Sequence, residues 1–93
     1  MPADRLKENL IEFYGEECHF CNEMEPSVEK LEKELKIKVQ KIETWHNEEN
    51  NELREEFDSG NCGGVPYFYN RKTKKFICGA VSYEELKEWA KGK

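Results

Sequence analysis

Cys18 and Cys21 are separated only by His19 and Phe20, and they follow closely on the apolar run Leu10-Ile11-Glu12-Phe13-Tyr14. Thiols three residues apart at the start of a helix share one face and are close enough to form a disulfide. The free amides and dipole at a helix start also favour a thiolate. The implied chemistry is reversible thiol–disulfide exchange. A second chemical element is Gly63-Gly64-Val65-Pro66-Tyr67-Phe68, where a Val-Pro step leads into an aromatic strand. Glu12 is a third, because a carboxylate in an apolar strand must be paired or take a raised pKa. Its alternative is an edge-facing, solvated acid.

The surrounding pattern supplies elements to hold these groups. Residues Asn9 to Tyr14 read as a buried strand, and Gly15-Glu16-Glu17 connects it to a helix from about Cys18 to Lys36. Met24, Val28, Leu31 and Leu35 recur at the spacing of one buried helix face, with Glu and Lys on the other side. Pro26 falls inside this helix and predicts a kink. Ile37 to Thr44 reads as a second strand through Ile37, Val39 and Ile42.

Asn47 caps a short helix reaching Asp58, with Leu53 and Phe57 on its apolar side. Val65 to Tyr69 and Lys75 to Cys78 flank a polar turn and predict an antiparallel hairpin. Ser82 with Glu85 forms a capping box for a last helix whose Tyr83, Leu86 and Ala90 face the core. The order is β-α-β-α-β-β-α, an α/β arrangement in one domain over residues 1–93.

Composition narrows the function. A chain of 93 residues supports one small core, burying only about 60–65% of its unfolded surface. Charged residues make up 38% and the net charge is -5, with both signs interleaved; this reads as a solvated surface and argues against nucleic acid. No stretch has the apolar length of a membrane span, and Met1-Pro2-Ala3-Asp4-Arg5 lacks a hydrophobic signal core. The expectation is a cytoplasmic protein with reduced thiols.

These residues resemble the thioredoxin superfamily from Leu10 to Trp89. Cys18-x-x-Cys21 looks like the family's active site, Pro26 stands five residues after the second cysteine as its kinking proline does, and Val65-Pro66 matches its cis-proline element. Gly79-Ala80, Ser82 and Glu85-Leu86-Lys87-Glu88 are similar to its last strand and helix. The resemblance implies a four-stranded mixed sheet in the order 2-1-3-4 with helices on both faces. Only eight residues precede the first strand, so the expected architecture is the minimal, glutaredoxin-sized core.

The resemblance also implies roles. Glu12 lies where thioredoxins place a buried Asp that exchanges protons with the second cysteine, and Lys41 where the family often has a Lys beside it. Cys18 is the implied nucleophile and Cys21 the resolving thiol. Val65, before a cis Pro66, would pair its backbone with an extended substrate. No cofactor is expected beyond the reversible Cys18–Cys21 disulfide. The expected partners are disulfide-containing proteins and an upstream reductase, the chain itself being a monomer.

The departures leave several readings open. No Trp precedes Cys18; Glu17 and Glu16 stand there, and their charge opposes the helix dipole. His19 either tunes the thiolate or is a solvated helix-end residue, and Phe20 either faces substrate or packs in the core. Trp45 follows the second strand, at the same sheet edge as the cysteines, and either replaces the missing Trp or is an ordinary core or surface residue. The Gly79-Ala80-Val81-Ser82 stretch lacks the glutathione-binding pattern of glutaredoxins. Cys62 is either a third redox thiol or a bystander, and Cys78 is expected to be a small buried hydrophobe. The rival functions are a metal or iron-sulfur protein using the cysteines, and a non-catalytic binding module.

Overall fold

The computed structural model describes residues 6–92. The segment Met1 to Arg5, read above for a signal core, lies outside the described residues. The chain runs β1 (Leu10–Tyr14), α1 (His19–Leu35), β2 (Val39–Glu43), α2 (Glu48–Asp58), β3 (Tyr67–Asn70), β4 (Phe76–Cys78) and α3 (Tyr83–Lys91). The strands form one sheet in the order β2-β1-β3-β4. β1 pairs parallel with β2, setting Glu12 opposite Lys41, and β3 runs antiparallel to both β1 and β4. This is the α/β thioredoxin-like fold that the resemblance implied.

The period of two in β1 divides the core. Leu10 packs with Met24, Val28 and Leu31 of α1, Phe68 of β3 and Leu86 and Trp89 of α3. Ile11 and Phe13 point the other way, into a cluster with Ile42, Leu53 of α2 and Tyr67. Helices α1 and α3 therefore cover one face and α2 the other. Trp89 is an addition to the expected core face of α3: its ring meets Phe68 edge-on at 5.5 Å, and its indole N–H donates to the Lys75 carbonyl at 3.2 Å. Tyr83 is only partly buried, with the Lys30 ammonium 4.4 Å above its ring.

The ends of the elements differ from the expected ones for local reasons. α1 continues through Pro26 and stops at Lys36, which takes a left-handed conformation with φ 55° and returns its N–H to the Glu32 carbonyl. Ile37 also donates to that carbonyl, and the Val39 N–H goes to the Glu32 carboxylate, so β2 begins at Val39 and not at Ile37. β3 begins at Tyr67, not at Val65, because Pro66 has no N–H for the ladder. Ser82 does cap α3, accepting from the Glu85 N–H at 3.2 Å.

The connection from α2 to β3 is held from beneath by a buried ion pair. Arg54 and Asp58, one helical turn apart, meet at 3.0 Å with side chains 8% and 3% exposed. The two Asp58 oxygens also accept the backbone N–H groups of Cys62 and Gly63. Burial opposes ionisation of Asp58, but the N–H groups of Gly63 and Cys62 and then the Arg54 guanidinium outweigh it and hold its pKa below the ordinary value. Removing one partner of a buried pair strands the other charge and two amides. Asp58→Ala should therefore destabilise the chain by about 3–5 kcal/mol, read as a lower denaturation midpoint in urea.

Candidate active site

Cys18 is the N-cap of α1: its backbone is extended, and its sulfur accepts the Cys21 N–H at 3.2 Å. The two cysteines form a disulfide with their Cα atoms 5.2 Å apart. Cys21 lies in line with Met24, Val28 and Leu31 on the buried side of α1 and is 2% exposed, against 4% for Cys18. Both residues are buried, and Cys18 is the one at the positive end of the helix dipole.

Across from it runs the chain entering β3. The Val65–Pro66 peptide bond is cis, and the Val65 carbonyl oxygen lies 3.9 Å from the Cys18 sulfur. A backbone acceptor beside the reactive sulfur is what an extended peptide needs for strand-like pairing as its own sulfur approaches. Val65 and Pro66 therefore come together with the cysteines.

Glu12 has the same parity in β1 as Leu10, which places it on the sheet face that α1 covers. The solvated alternative is excluded: Glu12 is 2% exposed and its Oε1 has no hydrogen-bond partner. Burial, reinforced by the nearby Glu25 charge, pushes its pKa up to about 8, with Lys41 pulling in the opposite sense. Lys41 lies opposite Glu12 in the register, but its ammonium bonds to Glu25 of α1. Burial alone would lower the Lys41 pKa; the bond to Glu25 and the surrounding acids raise it instead. Lys41 therefore acts on Glu12 as a fixed charge across the interface, not as its direct partner.

The rim is organised by residues that the sequence did not single out. Glu43, at the end of β2, accepts N–H groups from Glu16 at 3.0 Å, Trp45 at 3.2 Å and His46 at 2.8 Å, tying the loop before Cys18 to the loop after β2. Trp45 then lies against Gly15, where a Cβ would come within 2.3 Å of the indole, so only glycine admits the ring there. His46 Nε2 meets Glu17 at 2.7 Å, and this contact raises the histidine pKa and offsets one of the two acids before Cys18.

The open readings are resolved in part. Phe20 is 57% exposed and outside the core, and Trp45 is 53% exposed at the active edge. His19 is solvated and pairs with Glu23 one turn on, at 3.1 Å. Cys78 corrects an expectation: it is exposed on β4 and bonded to Cys62, with no role as a buried hydrophobe. The hairpin carried the missed signal, since the register sets Cys78 opposite Tyr67 and close to the lead-in containing Cys62. The four cysteines stand in two close pairs, Cys18–Cys21 and Cys62–Cys78, each placed to form a disulfide. Glu43 and Gly15 have no such signal, because their roles arise where two loops meet.

A neutral buried Glu12 makes stability depend on pH. Its folded pKa of about 8 exceeds the ordinary carboxyl value of 4.5, so the folded state holds the proton longer and loses stability as pH rises between those values. Glu12→Gln removes that loss. Relative to wild type, the variant should gain stability progressively from pH 4.5 to 8, up to about 5 kcal/mol, and a flat difference across thermal melts in this range would refute the assignment.

A family model described as Thioredoxin matches residues 3–92. The chloroplastic thioredoxin-like protein HCF164 of Arabidopsis thaliana is 34% identical over 62 residues, and that of Oryza sativa subsp. japonica 32%. Each match covers 67% of this chain and 23% of the relative, so the aligned part spans about a quarter of those proteins. Among solved structures, the glutaredoxin (grx-1) of Archaeoglobus fulgidus superposes with a TM-score of 0.65 at 19% identity, covering 91% of this chain and 88% of its own; that likeness concerns the fold. The family and the Cys18–Cys21 pair together support thiol–disulfide oxidoreductase chemistry in general terms. By the match across nearly its whole length, the chain belongs to the thioredoxin family.

Proposed function

We propose that this chain reduces disulfides in protein substrates. The observation that carries the reading is the Cys18–Cys21 pair at the start of α1, with the Val65 carbonyl 3.9 Å from the Cys18 sulfur. In the reduced chain the Cys18 thiolate attacks one sulfur of a substrate disulfide. That bond breaks, a mixed disulfide forms, and the second substrate sulfur leaves as a thiolate and takes up a proton. The Cys21 thiol then gives its proton to the Glu12 carboxylate and attacks the Cys18 sulfur. The substrate departs with both sulfurs reduced, two electrons have moved, and the Cys18–Cys21 disulfide remains. An upstream dithiol reductase closes the cycle.

The pKa of Glu12 at about 8 supports its part. A base works best when its pKa is close to that of the group it deprotonates, and a cysteine thiol titrates near about 8.5. Substrate would pair along the Val65 backbone, flanked by the exposed rings of Phe20 and Trp45. Lys41 positions the charge on Glu12 without touching substrate.

Insulin reduction in the presence of dithiothreitol tests the scheme. Cys18→Ser should abolish turnover, and Cys21→Ser should accumulate a mixed disulfide visible by mass spectrometry under non-reducing conditions. Equal residual activity in the two variants would refute the division of roles.

A further inference from the structure

The substrate-facing backbone is carried by a segment with little to hold it. Gly60 and Gly63 have φ of +81° and +79°, and a Cβ built at Gly60, Gly63 or Gly64 would meet nothing within 4 Å. No side chain from this stretch of glycines locks it against the core. Two anchors remain. One is Asp58, which accepts the Cys62 and Gly63 N–H groups. The other is the Cys62–Cys78 disulfide, joining the segment to the end of β4 across 5.5 Å between Cα atoms. Next to that disulfide, the Gly79 N–H donates to the Pro66 carbonyl at 2.8 Å. The crosslink therefore ties the far side of the segment whose near side faces Cys18.

The two disulfides differ in access. Cys18 and Cys21 are 4% and 2% exposed, whereas Cys78 is exposed and Cys62 half-buried. Exposed disulfides are the ones that exchange readily with external thiolates. We propose that Cys62–Cys78 is a second, exchangeable redox centre whose closed state holds the Gly63 to Val65 backbone where a substrate disulfide pairs. This rests on the substrate reading given above.

The exchange partner is a dithiol, small or protein-borne. Its thiolate attacks the exposed Cys78 sulfur, the Cys62–Cys78 bond breaks, and Cys62 leaves as a thiolate and is protonated. The second thiol of the partner then attacks the mixed disulfide and releases Cys78. The partner ends as a disulfide and the chain has gained two electrons and two protons. With the crosslink open, the segment keeps Asp58 and the packing of Cys62 and Val65 on the core but loses its tie to β4, and substrate must order the Val65 backbone further as it binds.

Two measurements test this. The C18S/C21S protein is equilibrated in buffers of oxidised and reduced dithiothreitol, alkylated and weighed. The expected result is one two-electron transition in the folded protein, with both thiols appearing together; absence of the bond after oxidation, or a bond that opens only on denaturation, overturns the proposal. With the dithiothreitol ratio set where alkylation shows the wild-type Cys62–Cys78 bond closed while Cys18/Cys21 cycles, C62S/C78S should raise KM for insulin at least about five-fold, equivalent to leaving one backbone residue to be ordered, with kcat and the potential of the Cys18/Cys21 pair unchanged. Should that variant fail to fold, C62A/C78V refills the volume with apolar groups and carries the same readout. Lower thermal stability with KM unchanged marks a purely structural crosslink and overturns the proposal. A wild-type chain that does not reduce insulin refutes the substrate reading instead, while the dithiothreitol titration still decides whether the second centre exchanges.

Discussion

The site depends on the alternation of β1. Because successive side chains of a strand point to opposite faces, the five residues Leu10 to Tyr14 cannot bury Ile11 and Phe13 against α2 without sending Glu12 to the side of α1. α1 begins four residues beyond β1, so its buried cysteine and the carboxyl of Glu12 share one interface. A shift of one residue would move the carboxyl to the α2 face and bring two aromatic or aliphatic groups under the disulfide. Glu12 and Cys21 are thus brought to one face by strand parity, and the cost of burying the acid is what sets its pKa near that of a thiol.

Around that interface the charges are arranged with little waste. Lys41 is held by Glu25 and kept charged, so Glu12 feels a cation and an anion together and burial remains the larger influence. The acids before Cys18 would oppose a thiolate, but Glu17 is engaged by His46, and the Glu16 backbone is tied to Glu43. The loop before Cys18 is consequently fixed from the β2 side, while the loop opposite is fixed from the α2 side by Asp58. The Cys18 sulfur lies between two segments in each of which one carboxylate, Glu43 or Asp58, gathers backbone N–H groups.

Much of this was legible in the sequence, and what was not has a common cause. The apolar spacing of Met24, Val28 and Leu31 and the caps at Asn47 and Ser82 are local signals that gave the element order, while the sheet order followed only from the family resemblance that Cys-x-x-Cys and Val-Pro carry. Residues whose roles depend on distant contacts stayed hidden. Gly15 is required by the ring of Trp45 thirty residues later, Glu43 gathers amides from two loops, and Cys78 finds Cys62 only once the hairpin has formed. Lys41 was placed on the correct strand, yet its bond goes to Glu25, because the reach of a long side chain is decided by the helix packed above it.

The sheet also acts as a partition. On its α1 and α3 side lie the buried Glu12 and Cys21, on the same face as Leu10, Met24, Val28 and Phe68. On its α2 side lie the supports of the segment leading into β3: Arg54, Asp58 and the Tyr67 hydroxyl, which donates to the Phe57 carbonyl at 2.9 Å. A substitution in α2 therefore acts on the support of the Val65 segment and one in α1 on the surroundings of Glu12, across opposite faces of the sheet. Such a division lets the two surroundings change by separate, nearly additive steps, which gives a chain of 93 residues two independent axes along which to diverge.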